Sequence, residues 1–292
     1  MLSRTEKNKK TRKKINKLEK REKRKKFFIR FFKIIFVLAI LIIGFFTYIR
    51  YIATNNITVR EYSPDFSTLP ESFHGFKIVQ FGDVYYNQYT INIDKLISQI
   101  NELKPDLIVF TGGLKHKNYT FTKDDIDSLI KSLTKLDSTV GKYYVVGSYD
   151  GETVVDILNK SGFKILDEED ELIYFNSNTP IVLRGIIEKY DIDYKDNKEL
   201  FKINIVHESD KAKEIIKYNS PEIIMSGNSL NGQIRLPYMG GLIKPDGSKN
   251  YYEEYYKLED TNLYITGGIG TNNYPIRLFN HPSINFYRLR KK

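Results

Sequence analysis

The sequence predicts an α/β protein: a four-layer α/β/β/α sandwich with two mixed β-sheets inside helical layers, preceded by a single N-terminal transmembrane helix. Two observations predict the sandwich. From residue 76 onward, short apolar runs of strand length alternate with segments of helical period, and the second half is richer in strands. A third predicts the anchor: the run "IIFVLAILIIGFFTYI" (34 to 49) carries no charge and follows a dense basic block.

The anchor explains the charge. The chain has 292 residues and a formal net charge of +10, a total that by itself suggests a nucleic-acid partner. Position removes that reading. Residues 1 to 33 hold 16 Lys/Arg against 3 Asp/Glu, so the rest of the chain, with 30 against 33, is close to neutral. Residues 1 to 30 are expected as a basic cytoplasmic tail and 31 to 51 as a transmembrane signal anchor, with Arg30 and Lys33 reaching toward headgroups. The basic side stays in the cytoplasm, which places the rest of the chain outside the cell membrane as a single-pass protein. The exit "TYIRYIATNN" offers no small-x-small cleavage site, so the anchor is read as uncleaved. Cysteine is absent, which excludes disulfides and thiolate metal sites.

Residues 52 to 75 read as a tether and lead-in, with Pro64 and Pro70 and no sustained periodicity. The domain proper is expected over 76 to 292. "FKIVQFGD" (76 to 83), "PDLIVFTGG" (105 to 113) and "KYYVVGSYD" (142 to 150) read as strands. Between them, Ile93, Leu96, Ile97, Ile100 and Leu103, then Ile126, Leu129, Ile130 and Leu133, recur at helical spacing. "VVDILNKSG" is a short helix closed by Gly162. Then come the strands "FKILDE", "ELIYFN", "PIVLRGI", "FKINIVHE", "PEIIMSG", "QIRLP", "NLYITGG" and "INFYRLR", with a short helix near Lys211 to Tyr218.

Several strand ends carry small polar tails: "FGDVYYN", "FTGGLKH", "VGSYDG", "VHESD" and "SGNSLNGQ". In order and spacing they resemble the metal-binding blocks of the calcineurin-like metallophosphoesterases, most closely the membrane-anchored bacterial branch associated with the cell envelope. The likeness runs from about Leu69 to the C-terminus. It implies a site in which two divalent ions share a bridging carboxylate, activate a water and stabilise charge on phosphoryl oxygens. Carried over position by position, it gives Asp83 as the bridging carboxylate and His207 as a retained ligand. Tyr85 stands where a histidine ligand belongs, Gly113 where an aspartate belongs and Ser148 where an asparagine belongs. Tyr149 takes the place of the catalytic histidine, while Asn228 and Leu230 take the places of the two histidines of the last block. Two of the eight expected groups remain.

The resemblance therefore implies a degenerate member in which no catalytic residue is expected. The former ligand positions Tyr85, Gly113 and Leu230 leave one metal site without donors. Asp83, His207, Asn228 and Ser148 could hold at most one weakly bound divalent cation, and no other cofactor is expected. The bland reading of Asp83 and His207 is a hydrogen-bonded pair left inside a former site. Asp150 is read as a brace for its neighbouring loop. Arg235 and Arg277 could form an anion-binding rim, and Tyr85, Tyr86, Tyr89 and Tyr149 could line a recess; His74, His116 and His281 read as surface or turn residues.

The function expected is a membrane-anchored pseudoenzyme at the outer face of the cytoplasmic membrane, acting as a binding, scaffolding or regulatory module. Its partner would be an envelope or membrane protein or a glycolipid, with no nucleic acid. The alternative is a divergent metal-dependent phosphoesterase acting on a cell-envelope phosphoester through a reorganised site.

Overall fold

The computed structural model describes residues 4–87, 92–186 and 200–292. The chain divides into two compact units, residues 1–48 and 49–292. The first is dominated by helix α1 (Arg4–Thr47), which continues into a short π-helical turn at Tyr48–Ile52. Its apolar side chains, from Phe27 through Phe46, are all exposed rather than packed on protein. At 1.5 Å per residue the uncharged run with its flanks is about 30 Å long, enough to cross a hydrocarbon core. This helix is long and apolar enough to span a membrane.

Sixteen strands follow among the described residues of the second unit. They are β1 (Thr58–Tyr62), β2 (Asp65–Phe66), β3 (Lys77–Phe81), β4 (Leu107–Phe110), β5 (Gly141–Tyr144) and β6 (Lys164–Ile165). Then come β7 (Asp170–Ile173), β8 (Ile181–Ile186), β9 (Lys202–Glu208), β10 (Ile223–Gly227) and β11 (Arg235–Leu236). The last are β12 (Gly240–Gly241), β13 (Tyr255–Leu258), β14 (Thr261–Ile265), β15 (Ser283–Arg288) and β16 (Arg290–Lys291). Helices α2 (Ile93–Glu102), α3 (Lys123–Leu133), α4 (Glu152–Lys160) and α5 (Ala212–Asn219) connect them.

Two six-stranded sheets result, in the orders β1-β15-β3-β4-β5-β6 and β13-β14-β10-β9-β8-β7. Both are mixed. β3, β4, β5 and β6 run parallel, and β15 pairs antiparallel to β3. In the second sheet β14, β10, β9 and β8 are parallel, with β13 and β7 antiparallel at the edges.

The alternation of strand side chains makes the layers. Val79, Phe81, Ile108 and Phe110 face α2, α3 and α4, whose buried stripes are Leu96, Ile97 and Ile100, then Leu129 and Leu133, then Val154, Ile157 and Leu158. Ile78, Leu107 and Val109 face the other way and pack between the sheets against Leu183, Ile203, Ile205, Ile223 and Met225. On the outer face of the second sheet, Val206, Ile224, Leu263 and Ile265 pack with Ala212, Ile215 and Ile216 of α5. The expected four-layer sandwich is therefore the observed one.

Local signals fix the helix ends. Thr122 and Asp125 form a reciprocal capping box at α3, and the Asn92 side chain accepts a hydrogen bond from the Lys95 amide at the start of α2. Gly162, at φ +81°, ends α4 as expected. The lead-in at 52–75 needs correction: it supplies β1, an edge strand of the first sheet, paired parallel to β15 from Thr58↔Ser283 to Tyr62↔Tyr287. β2 lies in the same stretch, and β13 is another strand beyond those expected.

Candidate functional site

The parallel strands deliver their polar tails to one edge of the sandwich, at the carboxyl ends of β3, β4, β5, β9 and β10. Asp83 is fully buried there, just past β3. Its backbone sits in the left-handed region at φ +49°, held by hydrogen bonds from its own amide to the Gly112 carbonyl (2.8 Å) and from the Gly270 amide to its carbonyl (2.8 Å). Its Oδ2 accepts a hydrogen bond from the Asn228 amide at 2.8 Å, while Oδ1 has no hydrogen-bond partner. Burial pushes the carboxyl up to about 6, against the opposing pull of His207, the Asn228 amide and the neighbouring Tyr85 hydroxyl.

His207 does not pair with it. Nδ1 lies 2.8 Å from the Thr111 carbonyl and 3.9 Å from Asp83 Oδ1. The short contact is to a pure acceptor, so Nδ1 carries a proton and donates to Thr111. The expected hydrogen-bonded pair is thus two separate groups, each fixed by backbone.

The two neutral candidates are held by their own hydrogen bonds, which leave the Asn228 amide oxygen as the atom that could face an ion. Asn228 Nδ2 donates to the Asp246 carbonyl (2.7 Å) and Ser248 Oγ (3.1 Å), and Ser148 Oγ donates to Glu208 Oε1 at 3.1 Å on the exposed side. Leu230 is buried, as is Tyr85. Burial, then the charge of Asp83, drives the Tyr85 hydroxyl well above its ordinary range, so it stays a neutral phenol. Tyr149 is half exposed and Tyr86 turns away to donate to Asp125 Oδ1 at 2.9 Å, so the tyrosines do not form one recess. Tyr89 lies outside the described residues.

Gly113 shows how the second block has closed. It stands at φ +78°, and a Cβ there would meet Asp83 Oδ1 at 2.8 Å and Asp83 Cα at 3.0 Å. The volume an aspartate at this position would enter is filled by Asp83 itself. Asp150 braces the same region from below, as expected. Its Oδ2 accepts from the amides of Gly113 (2.7 Å) and Gly147 (2.8 Å), and its Oδ1 accepts from that of Lys115 (3.0 Å).

The arginines need a second correction. Arg277 is fully buried and not at a rim. Its guanidinium donates to the carbonyls of Gly267 (2.9 Å), Gly268 (3.2 Å) and Gly270 (3.1 Å from Nε), clamping the loop that covers Asp83. Burial lowers it to about 9, with the Asp83 charge opposing. Arg235 is half-buried and donates to the Asn231 carbonyl (2.9 Å) and to Glu253 (2.7 Å). The loop after β10 keeps a strained path: Asn228, Leu230, Asn231 and Gln233 all have positive φ. Gln233 staples it, donating to the carbonyls of Tyr274 (2.7 Å) and Ile276 (3.0 Å) and accepting from the Asn272 amide (2.9 Å). Sequence reasoning missed the roles of Gln233 and Arg277, which only the contact between two distant loops reveals.

A pair of divalent ions needs about seven N or O ligands. Asp83, His207 and the amide oxygen of Asn228 are the candidate ligands here, well short of that number. Among the described residues, no cluster of three or more His, Asp or Glu side chains could hold a metal. The residues present do not fit a two-ion centre.

No family model matches the chain. Individual proteins do. The chain is 30% identical over 261 residues to the uncharacterized metallophosphoesterase YkuE of Bacillus subtilis (strain 168), covering 85% of this chain and 90% of that protein. It is 23% identical over 243 residues to a transmembrane protein with metallophosphoesterase domain from Danio rerio, covering 74% of this chain and 53% of the relative. It is 22% identical over 224 residues to the phosphodiesterase YaeI of Escherichia coli (strain K12), covering 73% and 82%.

Proposed function

This chain belongs to the calcineurin-like metallophosphoesterases, and we propose that it is a membrane-anchored member that binds a ligand at the outer face of the cytoplasmic membrane without hydrolysing it. One observation carries the reading: around Asp83, which stands at the position of the bridging carboxylate, the places that should crowd ligands hold Tyr85, Gly113 and Leu230. A lone carboxylate and one imidazole leave a divalent ion mostly water-ligated, which is weak binding and no clamp for an in-line displacement.

The buried arginine behind the loop supports the same reading. Arg277 supplies fixed positive charge on the covered side of Asp83, so the carboxylate is partly compensated without an ion. The retained loop shape gives the module a surface to present, and the hydrophobic helix gives it an address. The partner under this reading is an envelope or membrane protein or a glycolipid.

The competing reading is a hydrolase with a reorganised site, and the phosphodiesterase name of one relative favours it. Equilibrium binding of Mn²⁺ to the full chain in detergent separates the two. We expect at most one ion per chain, bound weakly enough to be removed by gel filtration. Two tightly held ions, both lost in Asp83→Ala, would overturn the proposal.

A further inference from the structure

Two loops near the start of the second unit carry large side chains into solvent, and the single charge within them, Arg277, is buried. In "LPYMGGLI" (236 to 243), the turn between β11 and β12 exposes Tyr238 completely, Met239 by 69% and Leu242 by half. In the segment before β15, Phe279 is 67% exposed, and Tyr274 stands out nearby. Soluble surfaces rarely gather this much apolar area without a partner.

Backbone hydrogen bonds join these loops into one surface. The Arg235 amide donates to the Leu278 carbonyl (2.9 Å), Ile234 and Leu278 form a parallel bridge, and the Leu242 amide donates to the Ile234 carbonyl (2.8 Å). The same surface is tied to the residues that leave the hydrophobic helix: the Arg277 amide donates to the Ile49 carbonyl at 3.1 Å, and His281 Nδ1 lies 3.3 Å from the Ala53 carbonyl. Tyr51 and Ile52, beside Ile49, are also exposed.

Chain continuity then fixes what lies against this patch. If α1 crosses a bilayer, Ile49 sits at the end of the crossing, and loops hydrogen-bonded to it lie at the lipid–water boundary. Exposed tyrosine, phenylalanine and methionine, with the one charge inside these loops buried at Arg277, suit that boundary, where one end of a ring is apolar and the other wet. We propose that the Tyr238–Met239 turn and Phe279 are inserted into the headgroup and upper acyl region of the bilayer.

Strand register gives the consequence for the cleft. Thr58 pairs with Ser283, and β15 runs antiparallel to β3 with Asn285 opposite Gln80. The same register carried two residues further sets Ser283 level with Gly82, next to Asp83. The chain thus enters the sheet at the cleft's edge, and the six residue steps from Ile52 to Thr58 reach at most about 20 Å. This inference rests on the anchoring part of the proposed function and is independent of whether the cleft hydrolyses anything.

Because the chain has no cysteine, single labels test it directly in the full-length protein. Met239→Cys, Phe279→Cys, Glu259→Cys and Ile40→Cys, each carrying an environment-sensitive fluorophore, are reconstituted into phosphatidylcholine vesicles with brominated acyl chains. Glu259 is exposed in the turn before β14, at the opposite end of that strand from the cleft. We expect blue-shifted emission and bromine quenching at 239 and 279, with neither at 259. Quenching at 40 but not at 239 and 279 would overturn the membrane contact while leaving the anchor intact. No quenching at 40 would overturn the anchor, and the inference with it.

Discussion

At Asp83 a carboxylate is fully buried. Its folded value of about 6 lies above its ordinary 3.8, so the fold favours the protonated form. Below pH 4 both folded and unfolded chains are protonated and no penalty applies. Between pH 4 and 6 the unfolded chain releases its proton first, so stability falls as pH rises, and above pH 6 the deficit levels off at about 3 kcal/mol. Asp83→Asn removes this titration. We expect the variant to be more stable than the parent at pH 7.5, by roughly 1–3 kcal/mol, and similar to it below pH 4. Chemical denaturation followed by circular dichroism across that range is the check; parallel stability profiles for the two proteins would show that Asp83 is not the buried acid described.

At the scale of the loops, Gly113 and Asp150 hold the turns after β4 and β5 in place. Gly113→Ala places a methyl group against Asp83 at a backbone angle that L-residues avoid. It should cost about 2–4 kcal/mol in the same denaturation assay, and an unchanged midpoint would mean that Asp83 yields. Asp150→Ala removes the acceptor for three backbone amides. Hydrogen exchange at Gly113, Lys115 and Gly147 should accelerate by at least tenfold, equivalent to about 1.4 kcal/mol, with β3 and β4 unaffected. Exchange at parent rates would leave the brace without a role.

The elements themselves were unevenly legible. "LIVF" and "IIMSG" declare buried strands because both faces are covered, and the helix stripes declare themselves by spacing. "TVREY" hides β1: its faces are only half-buried, and its partner β15 lies more than 200 residues away. The polar strand tails made the site's location readable and the substitutions at Tyr85, Gly113 and Leu230 visible. Arg277 was not readable, since an arginine that ends buried on three carbonyls has the same one-letter neighbours as one on a rim.

For the molecule as a whole, a basic segment, a hydrophobic helix and a near-neutral α/β body predict one topology. Added protease should digest the body on intact spheroplasts and spare only the helix with its basic tail; a protected body would reverse the orientation. The central claim concerns the cleft, where Asp83 and His207 stand without enough partners to assemble two ions. It is tested most directly by assaying the full-length protein for phosphodiester and phosphomonoester hydrolysis with Mn²⁺, Zn²⁺, Fe²⁺ and Mg²⁺ in turn. The account predicts no turnover above that of Asp83→Ala with any of the four. Metal-dependent hydrolysis that disappears in Asp83→Ala would contradict it.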